Sequence, residues 1–115
     1  MIAGFALSLI LAGFGGAQDA AAEEDPTRCE QVSATTLVLE GPVNAAMTEC
    51  VRTHLAPTTT ELVVDSGGGE IRHALDIAEL LEPLTLTVRV RDRCYSSCAN
   101  YFLPLAERLI VEPGA

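Results

Sequence analysis

Leu84, Leu86, Val88 and Val90 alternate with Thr85, Thr87, Arg89 and Arg91. A period of two predicts a strand over Leu84–Arg91, with one apolar and one wetted face. Shorter apolar runs bounded by turn formers predict three more strands. These are Thr35–Glu40, ended by Gly41 and Pro42; Glu61–Asp65, entered through Pro57 and Thr58–Thr60; and Arg108–Val111. Between them the period lengthens to that of a helix. Val43, Ala46, Met47, Cys50, Val51 and His54 fall near one face of a helix over Val43–Leu55. Ile71, Ala74, Leu75, Ala78 and Leu81 form a second helical stripe, stopped by Pro83. A short helix is predicted over Asn100–Leu105.

Strands and helices taking turns in this way imply right-handed βαβ units and a largely parallel sheet with helices against it. In such sheets ligands bind beyond the carboxyl ends of the strands. Two unusual stretches stand at such ends. Asp65–Glu70 (DSGGGE) joins the strand Glu61–Asp65 to the following helix, and Cys94–Asn100 (CYSSCAN) joins Leu84–Arg91 to the last one. Each junction puts backbone N–H groups at a helix start, where the dipole favours a negative oxygen. Glycine there lets a carbonyl approach the backbone closely, since no Cβ intervenes. One junction offers donors and the other a hydroxyl, which together are half of an acyl-transfer site. The same residues also suit a ligand-free strand-to-helix turn at Gly67–Gly69 and a serine N-cap at Ser96 or Ser97.

Charge and cysteines narrow the setting. Sixteen acidic residues against seven basic ones give a net charge of −9, and lysine is absent. Such a chain has no basic patch with which to release counterions, so binding to nucleic acid or to an anionic membrane surface is excluded as a function. Met1–Ala17 is apolar or small throughout and ends in Gly15, Gly16 and Ala17. That run is shorter than the roughly 20 apolar residues of a membrane span. It is read as a secretory signal peptide, residues 1–17, cut after Ala17 and lacking the usual basic start; an uncleaved anchor or buried segment is the alternative. Residues 18–34 then form an acidic, flexible segment and 35–115 the folded domain. Export to the periplasm or outside predicts disulfides, Cys29 with Cys50 and Cys94 with Cys98, and no stable membrane span after cleavage. A zinc site using Cys50 and His54, four positions apart, is the weaker alternative. No cofactor or metal is expected. Arg89, Arg91 and Arg93 read as a solvated face paired with acidic neighbours, or else as a contact for a peptide carboxylate or a subunit.

DSGGGEIRHALDIAELL resembles the strand, S-x-G-G, helix segment of the Clp protease proteolytic subunit and its relatives in the crotonase-like superfamily. CYSSCANYFLPLA is similar to the segment of that family that holds the nucleophilic serine, in the C-x-S-x-C form of exported relatives. The resemblance covers Thr35 to Ala115 and implies a ClpP/crotonase-like α/β fold, incomplete at its C-terminal end. It implies Ser97 as nucleophile, followed by the small residue Ala99 as in the family's A-S-x-G pattern, with Ser96 at the preceding small position. It also implies an oxyanion hole from the N–H groups of Gly69 and Cys98, with Gly68 shaping the approach. The expected activity is that of an exported serine hydrolase acting on a peptide or protein, assembled as a homo-oligomer. A non-catalytic binding or assembly module on the same fold is the alternative. The family's histidine would lie a short way beyond Arg108–Val111, and His54 and His73 match no catalytic position. The chain is thus expected to be a piece of a longer protein or a relative without a complete triad.

Overall fold

The computed structural model describes residues 26–115, so the proposed leader and residues 18–25 of the acidic segment lie outside the described residues. Five strands form one sheet in the order β1 (Arg28–Gln31), β2 (Thr36–Glu40), β3 (Glu61–Ser66), β4 (Leu86–Cys94) and β5 (Ala106–Val111). β2, β3, β4 and β5 run parallel, and β1 pairs antiparallel with β2. The crossovers carry α1 (Ala45–His54), α2 (Ile71–Leu81) and α3 (Ser97–Tyr101), the last followed by a 3-10 turn over Leu103–Leu105. The protein is therefore a small α/β fold with a mostly parallel sheet.

β1 is the element that the alternation of the sequence does not announce. RCEQ carries no apolar rhythm, and it falls within the segment read as flexible. It is held instead by its pairing with β2 and by a disulfide from Cys29 to Cys50 of α1, with Cα atoms 6.2 Å apart. The folded domain thus extends back at least to Arg28.

The α1 boundary follows from its cap. Asn44 is extended, and its side-chain oxygen accepts from the Met47 N–H at 3.0 Å, which satisfies one orphan donor and starts the helix after Val43. On α2 the expected stripe turns. Ala74, Ile77 and Leu81 are buried, whereas Ile71 and Leu75 are exposed.

The core lies on one face of the sheet. Leu37 and Leu39, Leu62 and Val64, and Leu86, Val88 and Val90 cluster with Met47, Val51, Ala74, Ile77, Leu81 and Phe102 from the helical layer. Each fully buried side chain of this size contributes about 1.5–3 kcal/mol relative to exposure. The alternation along β4 divides this core from the opposite face, where Arg89 pairs with Glu61 at 2.8 Å and Arg91 with Glu40 at 2.7 Å. Arg93 stands 3.8 Å from Asp65, and Arg28 also reaches Glu40 at 3.1 Å. Hydrogen bonds to Glu30 and Glu40 raise the Arg28 pKa, and one to Glu61 raises that of Arg89, so both guanidiniums stay charged. Exposed pairs of this kind contribute little each, about 0–1 kcal/mol. Their larger effect is cover: Arg89 stands beside Val63 in register, and long arginine stems on this face shield Val63 and Val38, which are nearly inaccessible.

Both expected cysteine pairs are bonded, Cys29–Cys50 and Cys94–Cys98. Two disulfides fit an extracellular or periplasmic protein. Among the described residues no helix is long and apolar enough to cross a membrane. The Cys29–Cys50 bridge spans 21 positions and alone ties β1 covalently to the helical layer. The double substitution Cys29→Ala, Cys50→Ala is expected to lower unfolding free energy by about 3 kcal/mol on the chain-entropy model, measured by urea denaturation with the other bridge intact.

Candidate functional site

The two junctions singled out in the sequence meet in space. β3 ends at Ser66, and Gly67–Gly69 lead to α2, whose N-cap is Glu70. β4 ends at Cys94, and Tyr95 and Ser96 lead to α3. The Tyr95 N–H donates to the Ser66 carbonyl at 3.0 Å, which fixes one junction against the other. A register irregularity after Val64 lets Ser66 stand opposite Cys94.

The glycine strap is anchored on both sides. Val43 N–H donates to Gly68 O and Glu70 N–H donates to Val43 O, both at 3.0 Å. The buried Ser66 hydroxyl donates to Gly41 O at 2.6 Å and accepts from Gly68 N–H at 3.0 Å. Gly68 has φ +94, a conformation that side chains rarely adopt. A Cβ there would lie 2.7 Å from Tyr95 O, 2.8 Å from Ser96 Cβ and 3.0 Å from Ser97 N. Gly68 is thus the position at which the strap presses directly on the serine turn.

The two serines have opposite environments. Ser97 is only 1% exposed; its hydroxyl accepts from Gly69 N–H at 2.9 Å and lies 3.3 Å from Gly69 O, to which it donates. Ser96 is exposed and has φ 56, ψ −125, the one positive φ on a non-glycine residue among the described residues. Its side chain makes no capping hydrogen bond to α3, so neither serine acts as the expected side-chain cap. The turn is held by its backbone: Cys98 N–H donates to Tyr95 O at 3.0 Å and Asn100 N–H to Ser96 O at 2.9 Å. The Cys94–Cys98 bridge closes it, with Cα atoms 5.2 Å apart. This bridge joins a strand end to a helix start, not two positions of one helical turn.

The expected nucleophile Ser97 and the expected donor Gly69 are therefore in contact, but through each other. All three oxyanion-hole positions named from the resemblance have engaged N–H groups: Gly68 on Ser66, Gly69 on Ser97 and Cys98 on Tyr95. Ser96, placed by the resemblance at the preceding small position, is the serine whose side chain is exposed. A signal for it was present, since Ser96 is the centre of Cys94-Tyr95-Ser96-Ser97-Cys98 and hence of the C-x-S-x-C pattern.

The histidines stand elsewhere. His73 Nδ1 is 3.2 Å from Thr48 Oγ1 and its Nε2 is 3.3 Å from Glu70, which links α1 to α2. His54 ends α1, exposed. Cys50 is bonded to Cys29, which removes it from the zinc alternative, and among the described residues no group of side chains is arranged to hold a metal ion. The chain matches no family model, no curated protein and no solved structure.

A polar cleft lined by Pro26, Arg28, Glu40, Gly41, Asp65 and Arg93 opens at the carboxyl ends of β2, β3 and β4. Arg93 connects it to the strap, for its guanidinium would make ordinary contact, at 3.7 Å, with a Cβ on Gly67. Gly67 and Gly68 thus differ in what they tolerate. Gly68→Ala is expected to cost about 2 kcal/mol or more through its positive φ and its clash with the serine turn, whereas Gly67→Ala is expected to fold with little loss, both read by urea denaturation.

Proposed function

We propose that the meeting point of the two junctions is the nucleophile-and-donor half of an acyl-transfer site, with Ser96 as the reacting hydroxyl. The observation that carries this reading is the Ser96 backbone, a non-glycine residue at φ 56 on a sharp strand-to-helix turn. A conformation of this kind costs about 1–3 kcal/mol and persists where the surroundings enforce it, commonly at functional sites. It is the posture that lifts a serine hydroxyl clear of its helix in a nucleophile elbow. Gly68 packs against this turn with no space for a side chain, so backbone alone holds the turn from that side. The Ser97 N–H follows Ser96 directly in this turn and serves as an oxyanion donor; Gly69 N–H joins it when the Ser97 hydroxyl turns away.

On this reading the fold is ClpP/crotonase-like, the protein is exported to the periplasm or beyond, and its substrate is a peptide or protein acyl group. Homo-oligomeric assembly belongs to the same resemblance. Among the described residues no hydrogen bond joins Ser96 to a histidine, and this reading assigns the nucleophile and the donors alone.

One observation favours the non-catalytic module instead. Gly69 N–H is already satisfied by Ser97, as a purely structural strap would be.

Acylation separates the two readings. The folded, oxidised protein is treated with an activated acyl ester, with imidazole supplied as base, and each serine is followed by peptide mass spectrometry. Ser96 is expected to acylate at least tenfold faster than any other serine, as expected for a single activated hydroxyl. The adduct should vanish in Ser96→Ala and persist in Ser97→Ala. Uniform or absent acylation of the folded protein would leave the binding-module reading.

A further inference from the structure

We infer that the Cys94–Cys98 disulfide is a redox latch on the Ser96 turn, opened by attack of an external dithiol at Cys94. The inference goes beyond the assignment of Ser96 as nucleophile and depends on that assignment only for its effect on activity.

Four observations converge on the latch. The bridge spans four positions and encloses Ser96 at its centre. Ser96 holds a backbone conformation that an L-residue adopts only under constraint. The side chain of Ser96 adds no capping hydrogen bond, so the constraint is carried by the bridge, by Gly68 behind the turn and by the backbone bonds of Tyr95, Cys98 and Asn100. Finally, the two cysteines differ in exposure: Cys98 is fully buried against the core, whereas Cys94 is half-buried at the end of β4. The second bridge has no such role, since it ties β1 to α1 at a distance from the serine turn in the chain.

Access fixes the chemistry. A thiolate of the dithiol attacks Cys94 Sγ, the Cys94–Cys98 bond breaks, and Cys98 leaves as a thiolate that takes up a proton. The second thiol of the reductant then attacks its own sulfur in the mixed disulfide. That step releases Cys94 as a thiol and the reductant as a cyclic disulfide, so two electrons and two protons pass to the protein. Once opened, the turn loses its covalent closure, and Ser96 can relax toward an ordinary negative φ. Relaxation draws the hydroxyl away from the Ser97 N–H. Oxidation by a disulfide of the same class restores it.

Two measurements on the folded protein test the latch. A monothiol lacks the second thiol that closes the reductant's own ring, so with the released Cys98 thiol alkylated as it forms, a mixed disulfide should be trapped on Cys94 and not on Cys98, as mapped by mass spectrometry. With a dithiol, amide exchange at Cys98 and Asn100 should accelerate by about tenfold or more, on the order of the population change when a conformation of this cost is released. In the Cys29→Ala, Cys50→Ala variant, where the dithiol has one bridge to open, exchange in β3 should stay unchanged, and Ser96 acylation should fall in step. A trapped adduct on Cys98 would overturn the inference. So would a turn whose exchange stays within about twofold after the bridge is opened, a change smaller than the release of such a conformation gives. Faster exchange without any acylation in either redox state would leave the latch standing and remove the hydrolase reading instead.

Discussion

The contact between Gly68 and the Ser96 turn is the constraint on which the rest depends. Space for a side chain is missing there, because the Tyr95 carbonyl, the Ser96 Cβ and the Ser97 nitrogen all crowd the place a Cβ would take. Two parallel strands bring the contact about. β3 and β4 are adjacent, their carboxyl ends are level after the irregularity at Val64, and each leads at once into a helix on the same side of the sheet. The buried Ser66 hydroxyl, bridging Gly41 and Gly68, then carries the restraint across to the end of β2.

The sheet supplies the rigidity this contact needs. One face packs against all three helices in a single apolar cluster. The opposite face is charged, yet Val38 and Val63 are buried on it beneath arginine and glutamate side chains. A sheet shielded on both faces resists the bending that would part its strand ends. The single antiparallel strand, β1, closes one edge and is stapled by Cys29–Cys50.

Much of this was legible from periodicity. The alternation of Leu86, Val88 and Val90 with charged neighbours marks β4 and already sorts its two faces. The apolar runs of β2 and β3 and the βαβ order imply a parallel sheet. β1 was not legible, because RCEQ owes its strand state to a partner strand and a distant cysteine, neither of which leaves a local pattern. The α2 stripe misled at Ile71 and Leu75, since spacing shows which residues share a face but not how far the neighbouring helices reach over it. At the candidate site the two meeting stretches were readable from glycine and serine chemistry. The different settings of Ser96 and Ser97 were not, because they turn on a backbone angle and on which hydroxyl Gly69 captures.

Everything at the site depends on Ser96 being held at positive φ while Ser97 is locked inward. Unfolding of Ser96→Gly tests this most directly, since glycine adopts that conformation without a Cβ penalty. The substitution is predicted to raise the unfolding free energy by about 1 kcal/mol in urea denaturation with both disulfides intact. A loss of stability of the same size would contradict it, for it would mean that Ser96 occupies an ordinary helical start and that the turn stores no constraint.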